Sequence, residues 1–194
     1  MYYDPTGHFP WLILAVVLFT PVGGQVLQIA TSVVSYAGMA VASIFDEEIR
    51  NDMNAIGWNP FNTDETATLN SSKVSFYKGV PVFRTNMNRS GSFAAIFLSH
   101  GSSANDLKHE RGHNSQLMRM GIATYGLGIG IPSVFMFGPW DAQGGDNYYR
   151  APWEITADLY GGVSRPVHTQ EDINRGWWYM RRLMGFPIIN PIIF

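Results

Sequence analysis

Apolar positions crowd the start of this chain. Residues 11–20 are almost purely apolar. Pro21, Gly23 and Gly24 interrupt the run, and residues 25–45 resume it with Gln25, Gln28, Thr31, Ser32, Ser35 and Ser43 interspersed. No Asp, Glu, Lys or Arg occurs between positions 5 and 45. The pattern predicts two helices joined at residues 21–24. A membrane-spanning helix needs about 20 consecutive apolar residues, which the first run lacks in length and the second in purity. Two readings follow: a helical hairpin buried in protein, or one that contacts or inserts into a membrane through residues 11–45, where tilt adjusts its reach.

From position 46 to 68 the chain turns polar, with Asn59-Pro60-Phe61-Asn62 as a turn cluster. Residues 73–85 read as a β-hairpin, since Val74-Ser75-Phe76-Tyr77 and Val80-Pro81-Val82-Phe83 flank Lys78-Gly79. Pro81 cannot donate to a ladder and so implies an edge strand. Residues 92–99 are a third strand candidate. Three well-punctuated helices follow. Asn105 or Asp106 caps one that runs to Met120 and stops at Gly121. Pro152 suits the first position of a second, which ends near Gly161 and Gly162. The run Thr169-Gln170-Glu171-Asp172 resembles a capping box and starts a third, reaching Gly185. The expected architecture is α+β: a small antiparallel sheet of about three strands packed on the first of these helices, with the hydrophobic N-terminal helical hairpin attached.

Composition narrows the partners. The chain has 194 residues, 46% apolar and 14% charged, with net charge −2. Its longest basic run is Arg181-Arg182, which argues against nucleic acid, because phosphate binding needs clustered Lys and Arg. There is no cysteine, which excludes disulfides and Cys-ligated metal and is compatible with export. The start lacks the basic region of a signal peptide.

The chemistry concentrates in His109-Glu110-Arg111-Gly112-His113. Two histidines four residues apart on a helix share one face and can hold one tetrahedral metal ion. Glu110 adjoins the first, where its carboxylate can take a proton from a water that zinc has acidified to a pKa of about 7. Gly112 lowers helix propensity, and close packing against its face explains its presence. A catalytic zinc site needs a third protein ligand. Glu154, Asp158 and His168 are the downstream candidates. Glu154 and Asp158 share a face of the second helix, so Glu154 is assigned as ligand and Asp158 as the group accepting a hydrogen bond from a ligating histidine. His168 is the alternative ligand.

His109-Glu110-x-x-His113 followed by Glu154-x-x-x-Asp158 resembles the gluzincin pattern of thermolysin-like zinc metallopeptidases. The resemblance covers about 55 residues of 194. It implies that His109, His113 and Glu154 bind Zn2+, that Glu110 is the general base, and that Asp158 supports a ligating histidine. It also implies a protein or peptide substrate bound in extended form along the strand preceding the motif helix. A second resemblance lies at the start. Tyr2-Tyr3-Asp4-Pro5-Thr6-Gly7 is similar to the signature that closes the core of Rhs (YD-repeat) proteins, after which a variable toxin domain follows. His109-Glu110-x-Gly112-His113-x-x-Gln116, Gly130-Ile131-Pro132-Ser133 and Trp153-Glu154-x-x-Ala157-Asp158 look like metallopeptidase modules at such ends. His8-Phe9-Pro10-Trp11 departs from the usual Rhs continuation. This resemblance implies a bacterial toxin secreted, or delivered into a target cell, as part of a larger protein, with a cognate immunity protein as partner. The domain reading is residues 1–45 as an apolar helical segment and residues 46–194 as the metallopeptidase domain, together one structural unit.

Other residues receive plainer readings. Tyr148, Tyr149, His168 and Arg175 lie nearest the third-ligand helix as donors to a developing oxyanion. His8 and His100 have no partner at ligand spacing. Trp177, Trp178, Tyr179 and Met180 are expected in the core. Residues 126–130 are glycine-rich but lack the Lys and Ser/Thr of a phosphate loop. Residues 186–194 are apolar to the end and are expected to dock on the core. The competing reading of the whole chain is a membrane-inserting toxin module with a structural zinc site, or a zinc-held binding module without catalysis.

Overall fold

In a computed structural model, residues 9–136 and 148–185 are described. Helices α1 (Phe9–Phe19) and α2 (Pro21–Ala42) meet at Thr20, with Pro21 in the first helical position. The break therefore falls before Gly23 and Gly24, which lie inside α2. Gly24 is where α2 crosses α5 (Ala104–Met120). A Cβ at Gly24 would stand 2.1 Å from the Leu117 carbonyl oxygen, so only glycine permits the approach. The polar stretch contains two short helices, α3 (Glu47–Ala55) and α4 (Glu65–Asn70), capped by Asp46 and Asp64. Buried Asp52 in α3 accepts from the backbone N–H groups of Ser72, Lys73 and Val74 at 2.8, 2.7 and 3.0 Å. It thereby fixes where the sheet begins.

The sheet has four strands in the order β1 (Val74–Tyr77), β2 (Val80–Thr85), β4 (Ile96–Ser99), β3 (Gly91–Ser92). It is mixed rather than antiparallel. β1 and β2 form the expected hairpin, its turn made by Lys78 and Gly79 at φ 48° and 80°, the geometry that matches strand twist. β2 and β4, however, run parallel. The single strand expected over residues 92–99 is split in two. Ala94 adopts φ 56° and its carbonyl accepts from Gln28 Nε2 at 2.8 Å, so the chain folds back and lays β3 against β4. Pro81 is not on an edge strand either. Backbone amides alternate in direction along a strand. Arg84 N–H points to Lys73 on the β1 side, so the Pro81 nitrogen faces β4, whose pairing begins one residue later at Val82. No ladder donor is lost.

α5 is the central helix. Its N-cap is Ser103 rather than Asn105 or Asp106, and Asp106 is the reciprocal member of a capping box. On one side, Leu107 packs with Tyr77, Val82, Ile96 and Leu98 of the sheet. On another, Leu117 and Met120 pack with Trp153 of α7 (Pro152–Gly161) and Met180 of α8 (Gln170–Met184). A third cluster joins Met39 of α2 to Met53, Val74 and Phe76. Between α5 and α7 the chain forms α6 (Ile122–Tyr125) and two wide π-helical turns, Gly126–Gly130 and Pro132–Met136, so the glycine-rich run is helical. α7 and α8 start and stop where expected, with Gly162 and Gly185 as left-handed C-caps. Of the aromatic run on α8, Met180 is fully buried, but Trp178 is exposed. Residues 186–194, together with His8 and the Tyr2–Gly7 motif, lie outside the described residues.

Candidate metal centre

α5 and α7 touch backbone to backbone, and this contact assembles the site. A Cβ at Gly112 would lie 1.8 Å from the Ala157 carbonyl oxygen, and one at Gly161 2.1 Å from that of Lys108. The packing role expected for Gly112 is met by α7. The close crossing brings Glu154, in the first turn of α7, to the two histidines of α5. We therefore expect Gly112→Ala to push α7 away. It should cost about 1–3 kcal/mol or more and lower metal binding, read as a drop in Tm and in bound metal. An unchanged Tm and metal content would refute this account of the contact.

Three donor atoms converge. His109 Nε2 and His113 Nε2 lie 2.9 and 3.1 Å from Glu154 Oε2 and 3.2 Å from each other. All three residues are buried and form a group able to hold a metal ion. A tetrahedral ion with bonds of about 2.0–2.1 Å separates its ligands by about 3.3 Å, so the triangle fits three corners of such a shell. Hydrogen bonding supports the fit. His109 Nδ1 faces Asp158 Oδ1 at 2.7 Å, an acceptor only, so Nδ1 is the protonated nitrogen. His113 Nδ1 faces Gln116 Oε1 at 2.7 Å, while Gln116 Nε2 donates to Trp153 O and Thr156 Oγ1 at 2.7 and 2.8 Å. That second pair of bonds sets the amide's orientation and makes His113 Nδ1 the donor. In the neutral rings both Nε2 atoms then present lone pairs to the centre beside a carboxylate oxygen. Such a cluster can hold a metal ion. Behind it, Arg165 donates to Asp158 Oδ2 at 2.7 Å.

Without metal, protons take that place. Burial opposes charge on His109, but the Asp158 and Glu154 carboxylates overcome it and hold the imidazole up to about 10. Burial also opposes ionisation of Glu154, yet His113 and His109 hold it well below the usual carboxylate range. Glu110 behaves differently. Burial pushes its carboxyl up, and neighbouring Glu154 adds to the rise.

Asp158 stands where the sequence placed it, behind His109. His168 does not join the triangle. Its Nε2 lies 3.0 Å from Tyr149 O and 3.4 Å from Asp158 Oδ2, on the outer side of the supporting carboxylate. The Arg175 guanidinium is taken by Asp172. Three contributors had no assigned role in the sequence: Gln116, Arg165, and Ser133, whose hydroxyl donates to Glu154 Oε1 at 2.9 Å. Gln116 was findable, being three residues after His113 on the same helical face. Arg165 and Ser133 arrive only through tertiary folding.

A cavity of about 370 Å³ opens beside the triangle, lined in part by His109, Glu110, Tyr148 and Tyr149. Tyr149 lies edge-on to His109, ring centroids 5.5 Å apart, beneath the Arg165 guanidinium at 3.6 Å. Burial and the Glu154 charge push the Tyr148 phenol up, keeping it a neutral donor. Compared with protein-family models, curated proteins and solved structures, the chain matches none.

Proposed function

We propose that the chain is a zinc-dependent peptidase of gluzincin type, with His109, His113 and Glu154 as ligands. The observation that carries this reading is the position of Glu110. It adjoins the ligand triangle, lines the cavity, and has a carboxyl raised by burial toward the range a general base needs. Two imidazoles and one carboxylate, leaving one position open, form a donor set suited to catalytic zinc. A bound zinc would supply Lewis acidity, polarising a carbonyl and acidifying a water. Glu110 accepts the proton of the attacking water and returns it to the leaving amine. Asp158 and Gln116 hold the rings in the ligating tautomer. Tyr148 and Tyr149, which line the cavity with Glu110, are the better placed of the four donor candidates to stabilise the oxyanion. In the test, zinc-loaded protein is incubated with unfolded protein substrates and fragments are read by mass spectrometry. New amine termini are expected. They should vanish with a chelator and return with zinc, and intact substrate at equimolar enzyme would refute the reading.

The role of a delivered toxin with a cognate immunity protein rests on the resemblance of Tyr2–Gly7 to the Rhs signature. One observation favours a lipid contact for the N-terminal segment. α2 is long and apolar enough to cross a membrane, but its polarity is inverted relative to a soluble helix. Gln28, Ser32 and Tyr36 point inward, donating to Ala94 O, Gly79 O and Trp58 O at 2.8, 2.7 and 3.2 Å. Val26, Ile29 and Val33 face outward, 56%, 63% and 63% exposed. Bound along its length, α2 would lie on a bilayer rather than span it. The protein is expected to float with phospholipid vesicles, and Val26→Asp with Val33→Asp to abolish flotation while metal is retained. Wild-type protein left at the bottom of the gradient would remove lipid as partner.

A further inference from the structure

We infer that the cavity beside Glu110 is a subsite for a small, uncharged, hydrogen-bonding side chain: serine, threonine, asparagine or glutamine. The inference rests on the peptidase reading and names the residue such an enzyme would select next to the cleaved bond. The cavity is lined by Asn88, Ser90, Ser99 and Ser102 together with the rings of Tyr148 and Tyr149, and no aliphatic side chain lines it among the described residues. A peptidase that selects leucine needs a predominantly apolar wall, because burying such a side chain against apolar surface is what stabilises it, and here the serine and asparagine groups share the lining with the tyrosine rings instead.

Ser99 and Ser102 lie in one connection, and Ser90 joins them from a separate segment. Ser90 precedes β3, Ser99 ends β4, and Ser102 lies just before the cap of α5. Ser102 Oγ is 2.6 Å from Ser90 Oγ and 2.9 Å from Ser99 Oγ, and Ser90 Oγ also accepts from Ser99 N–H at 3.2 Å. Three hydroxyls carry three hydrogens, and the two bonds among them use two. The third is left to donate elsewhere, and the three residues line the cavity. A substrate amide or hydroxyl can take that hydrogen and donate to a free lone pair in return. A leucine would strip water from these hydroxyls and replace nothing.

Charge narrows the class. Arg89, Asp106 and Glu110 put groups of both signs on the lining, so the cavity is not matched to a side chain of either charge. The polar wall also continues. A neighbouring cavity of about 450 Å³ shares Asn88, Ser99 and Gly101 and adds Thr85, Asn86 and His100, with Met87 the one apolar contributor among the described residues. The peptide would therefore lie in a polar trough along the β2–β3 and β4–α5 connections.

The test uses the zinc-loaded full chain and a peptide library varied at the positions on either side of the cleaved bond. At one of them, Ser, Thr, Asn or Gln is expected to exceed Leu and Phe in kcat/KM by at least about tenfold, since a site built to hydrogen-bond rejects a side chain that cannot. In a Ser90→Ala, Ser102→Ala double variant the preference should shrink to within about threefold. Binding of the same peptides to zinc-loaded Glu110→Gln protein, read by fluorescence anisotropy, gives a measure that needs no bond cleavage. Polar peptides bound in preference while none is cut by the unaltered protein would support the subsite and refute the peptidase. Preference for Leu or Phe, equal treatment of all peptides, or no peptide binding at all would overturn the subsite.

Discussion

His113→Ala and Glu154→Ala proteins should each leave gel filtration without bound zinc, where the unaltered chain retains one ion. Each substitution removes one of three donors packed within 3.2 Å of one another. It also leaves a buried partner behind. Without Glu154, two Nε2 lone pairs face each other with no carboxylate to neutralise the ion. Without His113, Gln116 loses the ring it orients. A structural zinc contributes about 10–16 kcal/mol of binding free energy through a full ligand set, so two ligands hold the ion too weakly to survive the column. Asp158→Asn should have a smaller effect of the same kind, about 10–100-fold in affinity. Elemental analysis by mass spectrometry decides it. Zinc retained at full stoichiometry by Glu154→Ala would mean that Glu154 is not a ligand. Absence of zinc from the unaltered chain would end the case for a metal centre.

The second large effect belongs to Glu110→Gln. Glutamine keeps the shape of the side chain, and Glu110 is not among the three converging donors, so zinc content should be unchanged. What is lost is the capacity to accept a proton, a contribution of about 10²–10⁴-fold in kcat. Because Glu110 is buried with its carboxyl raised, removing its charge also relieves a desolvated carboxylate, and the variant should unfold at a temperature no lower than the parent. The combination of retained zinc, retained Tm and lost turnover distinguishes a general base from a structural acid. Activity within about threefold of the parent would assign the proton transfer to another group.

The site was more legible than the fold around it. The four-residue spacings of His109 with His113 and of Glu154 with Asp158 are statements about helix faces, and helix periodicity is local. The caps that bound α7 and α8 are local too, because Pro152, Gly162, Thr169 and Gly185 act through their own backbone. The sheet misled where pairing partners are distant. Residues 92–99 are apolar enough for one strand. They divide at Ala94 because Gln28, 66 residues earlier in the chain, takes its carbonyl. Pro81 looked like an edge marker because a strand's neighbours are invisible to it. Its nitrogen happens to face the place where β4 has not yet begun.

The sequence by itself determined the ends of α7 and α8 and placed His109 and His113 on one face of α5, since each depends on residues within a turn or two of one another. Only the tertiary structure decided that α7 sits close enough to α5 for Glu154 to reach both histidines, because that depends on two glycines meeting carbonyls across a helix crossing. It likewise decided the parallel pairing of β2 and β4, the inward turn of the polar face of α2, and the approach of Ser90 to Ser102 beside Glu110. Each of these joins segments whose contact is set by packing, which leaves no periodic trace in the chain.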